Sequence, residues 1–145
     1  LSAAAGTPMH SIMLLAQRHD AVPFETRGFH FDRFGQELKS FVYLTDVDDE
    51  AGPFTYVPGS HRNAALRAAH ILADNGTDVD ARLEGLLARR GVSVRGPAGT
   101  LLLADVRGMH RGATPKGKER VLLMNYFVDE PRFWEPERET SKYKL

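Results

Sequence analysis

His30 and Asp32 stand two residues apart in Gly28-Phe29-His30-Phe31-Asp32-Arg33-Phe34. In an extended segment alternate side chains share a face, so an imidazole and a carboxylate at this spacing converge on one ion. Phe29 and Phe31 then turn the other way, into packing. A second imidazole, His110, lies in Arg107-Gly108-Met109-His110-Arg111-Gly112. Two imidazoles and one carboxylate on one side of a metal leave the opposite positions open, the facial triad of non-haem iron(II) oxygenases. A bare His-x-Asp pair is common on protein surfaces, and a lone His beside glycine is ordinarily a loop residue. The weight rests on their joint occurrence, in order, at strand ends of a β-rich chain. A zinc hydrolase would accept the same donor set, but the sequence has no His-Glu-x-x-His helix. His10, His19 and His70 lack a partner at ligand spacing and read as surface or core histidines.

Ten residues beyond His110 stands Arg120, at the start of an apolar run. If the co-substrate is a dicarboxylate chelating the metal at one end, its far carboxylate needs a fixed cation inside the barrel. Arginine supplies a planar, permanently charged fork for that task. Thr114 could add a hydroxyl donor to the same carboxylate.

These groups need a scaffold that holds strand ends together. Residues 1 to about 60 read as β with turns, 62 to about 90 as helical, and 91 to about 128 as β again. Leu38-Lys39-Ser40-Phe41-Val42-Tyr43-Leu44-Thr45-Asp46 is rich in β-branched and aromatic residues and predicts a strand covered on both faces in its middle. Asp48 to Pro53 is a turn cluster, Phe54 to Val57 a short strand, and Pro58-Gly59 its stop. Ala64 to Ala69 and the spacing of Leu83, Leu86 and Leu87 predict two short helices, broken at Asn75-Gly76. Residues 99–104 and 120–127 predict two more strands, and the charged tail from Asp129 to Leu145 a surface extension. Short strands with Gly/Pro turns indicate a sandwich or barrel. The expected fold is therefore an all-β double-stranded β-helix, or jelly roll, with a helical insertion around 62–90, and the expected domain is single, 1–145.

Composition narrows the function classes. With 145 residues, 42% hydrophobic and 26% charged, the chain matches ordinary globular proteins, not disordered or fibrous ones. Lys+Arg and Asp+Glu both number 19, so the basic excess of a nucleic-acid binder is missing. No cysteine is present, which removes disulfides, thiolate metal sites and a cysteine nucleophile, and fits a reducing compartment. Apolar runs such as Ser11 to Ala16 are too short to cross a bilayer, and no signal peptide is visible. The expectation is a cytoplasmic protein with a small-molecule partner and neither nucleic acid nor membrane.

The stretch from Phe41 to Arg62, a strand, the acidic turn Asp48-Asp49-Glu50, Gly52-Pro53, a strand and Pro58-Gly59-Ser60-His61, resembles the phytanoyl-CoA dioxygenase family of iron(II)/2-oxoglutarate-dependent oxygenases. The resemblance spans roughly residues 26 to 128. It implies a jelly roll with the metal at one mouth, His30, Asp32 and His110 as iron ligands, and Arg120 on the tail carboxylate of 2-oxoglutarate. His61 would be structural, pinning its turn. Asp32 in the carboxylate position implies a hydroxylase, because related halogenases carry a small residue there. The chain departs from the family at Gly112, where a hydroxyl residue is common. Its His110-to-Arg120 spacing is about one residue short, and little of the family's N-terminal helical bracing is present. The implied chemistry is hydroxylation of a small molecule by iron(II), 2-oxoglutarate and O2, with release of succinate and CO2. Two other readings stay open: a non-catalytic jelly roll that binds a metal or small ligand, and a cupin-type enzyme that uses the metal without 2-oxoglutarate. The substrate-facing residues are expected from the helical insert, the segment before His30 and the tail.

Overall fold

A computed structural model describes residues 6–20, 28–32, 37–66, 68 and 81–129. The strands are β1 (His10–His19), β2 (Glu37–Tyr43), β3 (Phe54–Tyr56), β4 (Val92–Val94), β5 (Leu101–Asp105), β6 (His110–Gly112) and β7 (Arg120–Val128), with a helix α1 (Ala81–Arg90) between β3 and β4. They form two antiparallel sheets, a four-stranded one in the order β1-β7-β2-β5 and a three-stranded one in the order β4-β3-β6. This is the jelly-roll architecture that the strand and turn pattern predicts.

Alternation sets the inner face of the large sheet. Glu37, Lys39, Phe41 and Tyr43 of β2 are buried, as are Arg120, Leu122, Met124, Tyr126 and Val128 of β7. Phe41, Tyr43, Leu102, Ala104, Leu122, Met124 and Tyr126 meet Phe54 of the small sheet in the main core. The outer face is less covered than expected for β2: Ser40 and Val42 are half-buried, and Leu101 and Leu103 of neighbouring β5 are exposed. The predicted boundaries shift at the turns. Leu44 and Thr45 leave the strand after Tyr43, and Thr45 Oγ1 accepts the Val121 N–H at 3.0 Å. Gly99 (φ 89°) and Thr100 form the turn that delivers β5.

The acidic turn is built by Asp48, whose Oδ1 accepts the N–H groups of Glu50 and Ala51 at 2.9 and 3.1 Å. Gly52 follows with φ 71°, and a Cβ there would lie 2.3 Å from the Ala113 carbonyl oxygen. Only glycine satisfies both demands.

A second cluster lies behind the small sheet, where Phe29, Val57, Leu87 and Met109 are buried with Phe31, Leu66 and Leu83 against them. Helix α1 thus covers the outer side of the small sheet. The described part of this helix braces the sheet through Leu83 and Leu87. Asn75-Gly76, His70 and the tail beyond Asp129 lie outside the described residues. Among the described residues no helix is long and apolar enough to cross a membrane.

Candidate metal centre

His30, Asp32 and His110 are brought together, with one donor atom from each lying within 4.8 Å of the others. His30 Nε2 is 3.6 Å from Asp32 Oδ1, His110 Nε2 is 3.4 Å from Asp32 Oδ2, and the two imidazole centroids are 4.5 Å apart. The means differs from the strand expected for residues 30–32. His30 forms a single antiparallel bridge with His110, through N–H to carbonyl bonds of 3.0 and 2.9 Å, and Asp32 lies outside any strand, its N–H bonded to the Val106 carbonyl at 3.2 Å. Phe29 nevertheless points away from the ligands, 1% exposed in the second cluster, as the alternation requires.

The donor set suits a metal in its protonation as well as its placement. His30 Nδ1 lies 2.9 Å from the Gly28 carbonyl and His110 Nδ1 lies 2.9 Å from the Gly108 carbonyl. A carbonyl only accepts, so each Nδ1 carries the proton and each Nε2 presents a lone pair toward Asp32. Burial works to raise the Asp32 carboxyl, but the Lys39 ammonium beside it outweighs this and holds it well below the usual carboxylate range.

Ser60 aims His110 from the other side. Its Oγ donates to the Val57 carbonyl at 2.6 Å and accepts the Met109 N–H at 2.8 Å, tying the Pro-Gly-Ser-His turn to the residue before His110. His61 stands with its Nδ1 3.4 Å from Tyr56 Oη, away from the ligand set.

Arg120 opens β7 at 3% exposure, pointing inward, and its Nε and Nη1 have no hydrogen-bond partner among the described residues. Burial lowers its pKa, partly offset by Tyr43. Such a buried cation with unused donors fits an anionic ligand. A Cβ at Gly112 would come within 2.8 Å of the Arg120 Nη2 atom, so the glycine makes room for the guanidinium to lie across β6. Thr114 is half-buried two residues past β6, where the backbone of Ala113 to Pro115 packs on Gly52. His19 sits opposite Arg120 in the β1–β7 ladder, while His10 is exposed at the start of β1.

Two neighbours of the candidate site escape the sequence reading. Lys39 is 6% exposed, with its Nζ 2.6 Å from Asp32 Oδ2, 3.9 Å from Glu37 Oε1 and 4.0 Å from the Tyr126 ring centroid. Its parity with Phe41 and Tyr43 was the available signal. The other is Glu84 of α1, whose contacts with Phe29 and Arg111 are wholly tertiary and carry no local signature.

Residues 17–120 match the family model described as phytanoyl-CoA dioxygenase (PhyH). The chain belongs to this family. No curated protein sequence matches it. Among solved structures, this PhyH-family chain is similar to SnoN, a non-heme alpha ketoglutarate dependent epimerase from nogalamycin biosynthesis, with 24% identity, TM-score 0.67, and coverage of 88% of this chain and 52% of that one. It is similar to EctD from S. alaskensis with bound Fe, at 20% identity and TM-score 0.64, covering 85% of this chain and 46% of that one. HygX from Streptomyces hygroscopicus with nickel and 2-oxoglutarate bound matches at 18% identity and TM-score 0.53, covering 85% of this chain and 57% of that one. The PhyH-family chain thus spans about half the length of these structures.

Proposed function

We propose that this chain is a non-haem iron(II)- and 2-oxoglutarate-dependent dioxygenase of the hydroxylase type, acting in the cytoplasm on a small molecule and releasing succinate and CO2. The observation that carries the reading is one interior holding both a converged His/Asp/His set and a buried arginine with unused donors. His30, Asp32 and His110 would hold the iron, and Arg120, with Thr114 as an added hydroxyl donor, would hold the tail carboxylate of 2-oxoglutarate. Iron bound in EctD and 2-oxoglutarate bound in HygX support that pair of cofactors. When bound, they supply the activation of O2.

The chain's own residues supply orientation and exclusion. The Gly28 and Gly108 carbonyls keep both Nδ1 protons away from the ligand face. Phe41 and Phe54, 4.8 Å apart, and Met124 line an apolar interior beside His110, limiting water there. Asp32 fills the carboxylate position and leaves no vacancy for halide, which supports hydroxylation.

Anaerobic addition of iron(II) and 2-oxoglutarate should give the weak visible charge-transfer band of their chelate. Asp32→Ala should abolish succinate formation. Undiminished turnover in that variant would sink the triad. A non-catalytic reading draws on the Lys39–Asp32 pair, since an ion pair of 2.6 Å can hold the carboxylate for structure alone. That reading gains if the protein takes up a divalent metal yet never develops the band.

A further inference from the structure

We propose that Glu84 of helix α1 is a positioning residue for both histidine ligands, acting on the backbone next to each from outside the barrel. The inference rests on the triad reading above.

Glu84 Oε2 accepts the N–H of Phe29 at 3.1 Å, and Phe29 directly precedes His30. Glu84 Oε1 accepts from the guanidinium of Arg111, which directly follows His110. The Arg111 guanidinium in turn lies over the Phe29 ring, 4.5 Å from its centroid. One carboxylate therefore closes a ring through the outward neighbours of two inward-facing ligands. Alternation makes this possible: where His30 and His110 point to the metal position, residues 29 and 111 point to the helix.

The brace has something to hold. Among the described residues the His30 segment joins the small sheet through a single bridge, so its position relative to β6 depends on few of their backbone bonds. Gly28 leaves room for the carboxylate, since a Cβ there would stand 3.2 Å from Glu84 Oε2. Phe29 and Leu87 share the buried cluster behind the sheet, which fixes the helix at the same place. Groups that orient ligands from outside the coordination sphere characteristically change metal affinity by about 10–100-fold.

Metal-free protein should be titrated with cobalt(II), and the amide exchange of Phe29 followed without metal. In Glu84→Ala, cobalt(II) should bind about tenfold more weakly, with its d–d band displaced at saturation, and Phe29 should lose protection. Glu84→Gln keeps an oxygen for the Phe29 N–H but loses the charge on Arg111. It should retain Phe29 protection and bind cobalt(II) severalfold more weakly than wild type, as a partial rescue. Leu86→Ala, at an exposed position of the same helix, should leave the band where it is. A purely structural role would lower stability without moving the saturated band. Wild-type affinity and band in Glu84→Ala overturn the proposal, and so does wild-type affinity in Glu84→Gln if the alanine variant does not fold. Failure of the wild type to bind cobalt(II) instead overturns the triad reading, and the ligand-positioning role with it.

Discussion

Lys39 is the residue whose place most changes the view of the site. A buried ammonium 2.6 Å from the proposed ligand Asp32 would do part of a metal's electrostatic work, because it compensates the Asp32 charge where water is excluded. Removing one partner of a buried pair commonly costs about 3–5 kcal/mol, since the other charge is left uncompensated. Lys39→Met should therefore destabilise the metal-free protein by roughly that amount in a denaturant titration. The gap to wild type should narrow when a divalent metal is added, because the ion then compensates Asp32; a gap unchanged by metal would show that Lys39 serves the core alone. Gly112 makes a second point at this scale. Gly112→Ala would push a methyl to 2.8 Å from Arg120 Nη2, the far end of a side chain that can yield. The expected outcome is near-normal stability and metal affinity with a KM for 2-oxoglutarate raised roughly tenfold, by misplacement of the guanidinium.

At the scale of elements, legibility followed burial contrast. β2 and β7 could be read because one parity is buried and the other only half-covered, whereas His30, Asp32 and His110 converge by a single bridge and a turn contact in place of the strand expected for residues 30–32. β1 could not be delimited, since Ile12, Met13, Leu14 and Leu15 are apolar on both parities, a bulge breaks the register between Ser11 and Met13, and Leu14 is exposed at the sheet edge. β6, with only His110, Arg111 and Gly112, has no β signature of its own and exists because β3 pairs with it. β1 also carries a group that titrates in mild acid. Burial, then the charge of Arg120, lowers His19 from 6.5 to about 4, against a smaller upward pull from Asp20. Between those values the unfolded chain takes up a proton that the folded chain refuses, so stability falls as pH drops through this window. Asp32, held low, loses its contribution only at more acid pH. His19→Gln should flatten the stability profile between about pH 6.5 and 4 and leave the steeper acid limb in place; a wild-type slope in that variant would assign the transition to other groups.

Across the whole molecule, the site is a junction between the sheets. His110 belongs to the small sheet, Arg120 to the large one, and Asp32 is paired to Lys39 on β2 of the large sheet. A metal held by the triad joins the His30 segment to β6, whereas a dicarboxylate reaching from metal to Arg120 ties the small sheet to the large one. Ligands that bind only the folded state stabilise it by mass action, about 2.7 kcal/mol at a hundredfold excess over Kd. For a chain of this size that corresponds to a rise in Tm of roughly 5–10 °C. Stabilisation should come in two steps, one with metal alone and a further one when 2-oxoglutarate is added to the metal-loaded protein. Arg120→Met should keep the first step and lose most of the second, while Asp32→Ala should lose both. Differential scanning fluorimetry separates the steps. A second step that survives in Arg120→Met would place the dicarboxylate tail elsewhere in the barrel and leave the buried guanidinium as a structural charge between β1 and β6.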